Sequence, residues 1–274
     1  MSPQDCPPLP EKVDVLVNVF TYAKQISGDV FAWCCGVGPT LEAHPRVGVV
    51  RVSYCAGYPT DRMRNAVCKQ ARADGHHVLV MLDDDMAPDL LLGKDPDAVP
   101  FLPTALDHLL AHAGGPCVVG APYCSEPPAQ TVVVMKNREY APDQPDGCGL
   151  KLDKYTRDEA AVLSGIRRVA ALPTGCLMID LRCLDVLPPP WFAYEYDDPP
   201  FNTRLASTED VVFSRNLDWL GVPQYCHWSA WAGHVKTYVT GKPSPAPVAD
   251  IPASIYRAWS NGWRPAHPPI PQTA

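Results

Sequence analysis

Leu79-Val80-Met81-Leu82-Asp83-Asp84-Asp85-Met86 is a short apolar run that stops abruptly on three consecutive carboxylates. An apolar run of this length, bounded by polar residues, predicts a strand buried on both faces, as in a largely parallel sheet. The carboxylates then fall just past its carboxyl end, where open α/β sheets place their ligands. Three adjacent negative charges repel one another near a core, and a cation relieves them. A hard divalent ion such as Mg²⁺ or Mn²⁺ takes oxygen ligands and is the natural partner. A solvated acidic loop is the alternative.

Outward from that stretch, strand and helix patterns alternate. Val13–Phe20 is β-branched and apolar, and predicts the first strand. A helix is expected around Tyr22–Cys35, a strand over Val47–Cys55, and a helix over Thr60–Ala73 with Thr60 or Asp61 as N-cap. Val78–Leu82 is the third strand, Phe101–Ala113 a helix and Cys117–Ala121 another buried strand. Gln130–Lys136 predicts a strand, and Val169–Ile179 strand material interrupted by Pro173-Thr174-Gly175. Thr208–Leu220 predicts a helix with Val211, Val212 and Leu217 on its buried side. This order implies a single α/β domain over 13–240, with a mainly parallel central sheet, right-handed crossovers and flanking helices. Residues 1–12 are expected as a loose lead-in, and 241–274 as a Pro-rich tail that packs on the body through Tyr256, Trp259 and Trp263.

Composition sets bounds. The 274 residues are 46% hydrophobic and 19% charged, an ordinary globular balance. No stretch approaches the roughly 18–20 consecutive apolar residues of a membrane span, so no membrane insertion is expected. The start, Met1-Ser2-Pro3-Gln4-Asp5-Cys6-Pro7, lacks the basic and apolar pattern of a signal peptide. Eleven scattered cysteines, without a Cys-x-x-Cys pair, argue against a disulfide framework and a zinc site and favour a reducing, cytoplasmic setting. The net charge of −7 counts against broad non-specific binding to nucleic acid.

Two later pieces carry chemistry. Ser207-Thr208-Glu209-Asp210 has a capping-box pattern, with Ser207 as N-cap and Asp210 three residues on. Ala232-Gly233-His234-Val235-Lys236 offers an imidazole able to complete an oxygen-rich metal shell, and a lysine able to hold phosphate. Each has a structural alternative, in capping or in packing.

Taken in order, these motifs resemble GT-A glycosyltransferases of the broad family 2-like group. The pattern is an arginine–asparagine helix (Asp61-Arg62-Met63-Arg64-Asn65-Ala66), then Asp83-Asp84-Asp85, then Pro173-Thr174-Gly175-Cys176. Pro190-Trp191-Phe192, Thr208-Glu209-Asp210 and the Gly-His near the end of the body complete it. Val19-Phe20-Thr21-Tyr22 departs from the family in lacking a proline after the first strand.

The resemblance implies a nucleotide-sugar donor and Mn²⁺ or Mg²⁺. It assigns Asp85, Asp83 and His234 to the metal, and Asp210 to the general base that takes the acceptor's proton. Thr21, Tyr22, Arg62, Arg64, Asn65, Asp83, Asp84 and Lys236 are the expected donor contacts, and Glu209, Gly175 and Trp191 the acceptor or sugar contacts. Inverting and retaining outcomes both stay open.

A sugar nucleotidyltransferase is a competing expectation, disfavoured because Val19-Phe20-Thr21-Tyr22-Ala23-Lys24 has no glycine-rich phosphate loop. A non-catalytic nucleotide- or glycan-binding module is another. The acceptor is unknown: a small molecule, a glycan, a protein, or DNA bearing hydroxylated bases.

Overall fold

The computed structural model describes residues 2–240, apart from 22–25, 27, 58, 90, 126–129, 141–149, 197–204 and 236–238. Tyr22, Lys236 and the 241–274 tail therefore lie outside the described residues. The elements run β1 (Val13–Thr21), α1 (Gly28–Glu42), β2 (Val47–Ala56), α2 (Thr60–Ala73), β3 (Val78–Asp83), β4 (Met86–Ala87), α3 (Phe101–Ala111), β5 (Val118–Gly120). They continue β6 (Met135–Tyr140), β7 (Leu150–Lys154), α4 (Arg157–Ala161), β8 (Ile166–Arg168), β9 (Cys176–Asp180), α5 (Cys183–Val186). The last are β10 (Glu195–Tyr196), β11 (Leu205–Ser207), α6 (Glu209–Trp219), β12 (Gln224–His227), β13 (Gly233–Val235) and β14 (Val239–Thr240).

Seven strands form one sheet in the order β2-β1-β3-β9-β5-β12-β8. β2, β1 and β3 are parallel, as are β5 and β12. β9 runs against both β3 and β5, and β8 against β12. The sheet is thus mixed but mostly parallel, with helices on both faces, the mainly parallel α/β layout that the sequence predicts.

The pleat explains the apolar runs. Leu79 and Met81 point to one face, in a core cluster with Met63, Val67 and Cys68 of α2 and Phe213 and Leu217 of α6. Val78, Val80 and Leu82 point to the other, with Val37 and Leu41 of α1 and Phe101, Leu102 and Leu106 of α3. A strand covered on both faces needs apolar residues at every position, which is why alternation is absent there.

Several elements differ from expectation. α1 begins at Gly28 and runs through Pro39 to Glu42, because Val30, Val37 and Leu41 are buried and packing outweighs helix propensity. The N-cap of α2 is Pro59, not Thr60 or Asp61. Val132 and Val134 are fully buried, yet residues 130–134 make only the bridge of Cys124 with Val132, and the regular strand starts at Met135. Core burial there gives a strand-like pattern without a ladder. Of the Val169–Ile179 material only Cys176 onward is a strand, in the centre of the sheet; the edge strand Ile166–Arg168 ends before Val169, and Ala171 makes a single bridge to Met135. Val211 is only partly buried, while Val212 and Leu217 are core residues.

The N-terminal residues, expected to be loose, are tied to the body. Arg182 Nη1 donates to the Pro7 carbonyl (2.6 Å) and Arg46 Nη2 to that of Pro10 (3.1 Å). Arg182 also grips Asp180 with Nη2 (2.6 Å) and Nε (3.0 and 3.1 Å), and the Asp180 side chain is completely buried. Among the described residues all cysteines are free thiols, and no helix is long and apolar enough to cross a membrane.

Replacing Arg182 by alanine strands a buried carboxylate and releases the lead-in. The expected loss is about 3–5 kcal/mol in urea denaturation, with faster proteolysis within residues 1–12. Unchanged stability and unchanged cleavage would contradict this account of the tether.

Candidate active site

The carboxyl ends of β1, β3, β5 and β12 share one edge of the sheet, and the charged residues gather there. Arg64 lies at the centre. It sits on the buried face of α2, two residues from the exposed Arg62, and its side chain is only 3% exposed. Its Nη2 donates to both oxygens of Asp83 (3.0 and 3.2 Å), at the end of β3. Nη1 donates to the Thr174 carbonyl (3.1 Å), and Nε faces Glu209 Oε1 at 3.4 Å. The guanidinium also lies over the Phe20 ring, 5.1 Å from its centroid.

Burial shapes the electrostatics. It opposes the Arg64 charge, but Asp83, Glu209, Tyr123 and Asp210 outweigh it and hold the guanidinium above its ordinary value. Burial raises the Asp83 carboxyl; Arg64 opposes the rise while Asp85 and Asp84 add to it. Burial likewise raises Glu209, against Arg64 and with Asp210. The Tyr123 hydroxyl is pushed well above the phenol value by burial, then by Asp83 and Asp210.

A second group is assembled by backbone pairing across the whole chain. The short strand β13 pairs antiparallel with β4, setting His234 opposite Met86 and Gly233 opposite Ala87, and Val235 N–H donates to the Asp85 carbonyl (2.6 Å). His234 Nε2 then lies 3.3 Å from Asp85 Oδ2 although 149 residues separate them. His234 Nδ1 is 3.0 Å from the Cys124 carbonyl. A carbonyl accepts only, so Nδ1 carries a proton, and Nε2 is the nitrogen that faces the carboxylate.

Asp210 is the second residue of α6. Thr208 is the N-cap, while Ser207, the expected cap, ends β11. The capping box does not form, since Thr208 makes no side-chain capping bond. Instead Thr208 Oγ1 and the Val211 N–H (2.9 Å) both donate to Asp210 Oδ1. Glu209 and Asp210 thus occupy the first turn, where the helix dipole favours negative charge.

Several expected contacts have other duties. Asn65 Nδ2 donates to the Asp61 and Phe192 carbonyls (2.8 and 2.6 Å), and its Oδ1 accepts from the Trp191 and Phe192 N–H groups (2.9 and 3.2 Å). All its bonding capacity pins backbone, which leaves none for a nucleoside. Trp191 is 6% exposed and bonded to the Leu187 carbonyl (3.1 Å), so it packs the core and offers no face to a sugar. Arg64 bonds Asp83 and the Thr174 carbonyl and faces Glu209, so both oxygens of Asp83 already accept from a guanidinium. Arg62 faces solvent.

Gly175 is required by a neighbour: a Cβ there would lie 2.7 Å from Tyr123 Oη. Thr21 is buried at the end of β1, and the Asp84 N–H donates to the Phe20 carbonyl (2.9 Å). Among the described residues no three His, Cys, Asp or Glu side chains form a complete metal cage. Tyr123 was not foreseen, although it lies three residues past the buried strand Val118–Gly120.

The chain matches no protein-family profile and no curated protein. Among solved structures, the crystal structure of A197 from STIV is similar, with a TM-score of 0.49 at 12% identity over 81% of this chain and 85% of that one.

Arg64→Met should cost about 3–5 kcal/mol, because Asp83 and Glu209 lose their shared cation. Burial without that cation raises both carboxyls further above their unfolded values. Their protonated forms therefore favour the folded state at low pH, and that contribution fades as pH rises through the folded-state values. The gap from wild type should narrow on acidification into the carboxylate range, followed by urea denaturation at several pH values. A pH-independent gap would contradict this.

Proposed function

We propose that this chain is a GT-A-type glycosyltransferase that moves a sugar from a nucleoside-diphosphate donor to an acceptor hydroxyl, with Mn²⁺ or Mg²⁺ held by Asp85 and His234. The observation that carries the proposal is the Asp85–His234 pair. A carboxylate oxygen and an imidazole nitrogen held 3.3 Å apart share a proton or, in its place, a metal ion, and an imidazole whose other nitrogen donates to a backbone carbonyl is the usual arrangement of a metal-binding histidine. Oxygen from Asp85 and nitrogen from His234 suit Mn²⁺ in particular. Two protein ligands leave positions for donor phosphate oxygens and water. When bound, the ion offsets the charge gathering on the departing diphosphate.

The remaining chemistry belongs to this chain's own residues. Asp210 takes the proton of the acceptor hydroxyl as that oxygen bonds to the anomeric carbon. The bond from that carbon to the diphosphate breaks, and its electron pair leaves with the nucleoside diphosphate. Thr208 Oγ1 and the Val211 N–H both donate to Oδ1 of Asp210, so Oδ2 is the oxygen assigned to the acceptor. One displacement of this kind inverts the anomeric carbon. Asp84, next in sequence to Asp85, is assigned to the donor's ribose or phosphates. Glu209 and Tyr123 hold the wall between donor and acceptor, and Arg64 keeps that wall in place without touching phosphate.

Asp85→Asn and His234→Ala should each abolish Mn²⁺-dependent stabilisation by nucleotide sugars in a thermal-shift series, with folding intact. Asp210→Asn should keep that stabilisation while transfer falls about 10²–10⁴-fold. Stabilisation that survives both first variants removes the metal assignment. Near wild-type transfer by Asp210→Asn removes the base assignment.

A further inference from the structure

The two outer strands of the central sheet are built in opposite ways. β8, at one edge, is three residues long and carries Arg167 and Arg168, both exposed. Short length and charge are how sheet edges avoid pairing with other chains. β2, at the other edge, runs ten residues, Val47–Ala56, without a proline, a lysine or an acidic residue. Its one charge, Arg51, is paired with Asp74 (3.2 Å). Among the described residues no strand pairs with the outer side of β2.

The register fixes what that outer side presents. The Gly57 N–H donates to the Thr21 carbonyl (3.2 Å) and the Val49 N–H to Asp14 Oδ1 (2.7 Å), so the odd-numbered residues turn toward β1. Val50, Val52 and Tyr54 therefore turn their N–H and C=O groups outward. Their side chains share the face of Val15, Val17 and Val19, which they oppose in the parallel ladder. α1 covers that face through Val30, Val37 and Leu41. The cover stops short of the edge: Val52 is 43% exposed, Tyr54 70% and Phe31 of α1 63%. Unpaired backbone groups and exposed apolar side chains thus coincide on one strand.

We propose that β2 is a self-pairing edge, which joins two copies of this chain through an antiparallel β2–β2 ladder about a twofold axis at Val52. The strand's own charge pattern argues for a second copy in that register. Axes at Arg51 and at Val52 overlap the two strands most fully, but the first sets Arg51 against the partner's Arg51, and like charges directly opposite repel. An axis at Val52 sets Arg51 against the partner's Ser53. It also brings every outward-facing residue into a pair that exchanges two backbone hydrogen bonds. Val52 meets the partner's Val52, and Tyr54 meets the partner's Val50, an aromatic on a β-branched side chain. Because β1 and β3 run parallel to β2, the carboxyl edges of the joined sheets face opposite ways, and the two candidate sites open away from each other. This pairing does not rest on the proposed chemistry.

Sedimentation equilibrium of the full chain is the test. A species of twice the chain mass should predominate at about 100 µM, as a micromolar Kd requires. Val52→Lys places two ammonium groups face to face on the axis and should weaken association at least about 100-fold. Tyr54→Lys, at the more exposed position, should weaken it at least about ten-fold, and serves if the Val52 variant does not fold. The axis has its own readout. With an added oxidant, Val52→Cys should form a disulfide between the two substituted positions, identified by peptide mapping. Tyr54→Cys should not, because the two substituted positions would lie more than about 13 Å apart, beyond the roughly 7 Å limit for a disulfide. A monomer at about 100 µM, as when residues 241–274 cover the edge instead, overturns the proposal. So does undiminished association in the lysine variants, or cross-linking of Tyr54→Cys in preference to Val52→Cys.

Discussion

A single buried guanidinium organises the carboxyl edge of this sheet. Arg64 joins the end of β3 through Asp83, the start of α6 through Glu209, and the loop before β9 through the Thr174 carbonyl. These three segments are far apart in sequence, and each carries or borders a residue of the candidate site. Five carboxylates, Asp83, Asp84, Asp85, Glu209 and Asp210, come from two of the segments that Arg64 joins. Under the proposed function a divalent ion would add positive charge to this acidic edge and so help it to accept a diphosphate.

The division of labour among the carboxylates follows from burial. Asp83 and Glu209 share Arg64 and are structural anions whose burial raises their proton affinity. Asp85 and Asp210 have different companions, an imidazole in one case and the Thr208 hydroxyl with a helix-start N–H in the other. Three adjacent aspartates therefore do not act as one cluster. The pleat and the turn after β3 send Asp83 to Arg64 and Asp85 to His234.

The fold was legible because its signals are local. Apolar runs at 13–20 and 78–82 are buried on both faces, and the Thr60–Ala73 helix keeps its amphipathic spacing. The reversed direction of β9 was not legible, since Cys176–Asp180 has the same composition whichever way it runs. The pairing of Asp85 with His234 depends on the two-residue strand β4 meeting β13, which is too short to leave a periodic signal. Motif order brought these residues together on the page, but not their duties. Arg64 and Asn65 have the chemistry of phosphate and nucleoside ligands, and only tertiary structure reveals that Asp83, Glu209, Thr174 and the Trp191–Phe192 backbone claim them first. Tyr123 was missed because an aromatic after a strand is common; its significance comes from the space that Gly175 leaves for it.

The central claim is that Asp85 and His234 hold a divalent ion beside the Glu209–Asp210 turn. Pulsed electron paramagnetic resonance of one equivalent of Mn²⁺ bound to the full chain, with a nucleoside diphosphate present, tests it most directly. The account predicts a nitrogen coupling from a single imidazole that disappears in His234→Gln, together with phosphorus coupling from the diphosphate. Bound Mn²⁺ without imidazole coupling, or with coupling that persists in His234→Gln, would contradict it.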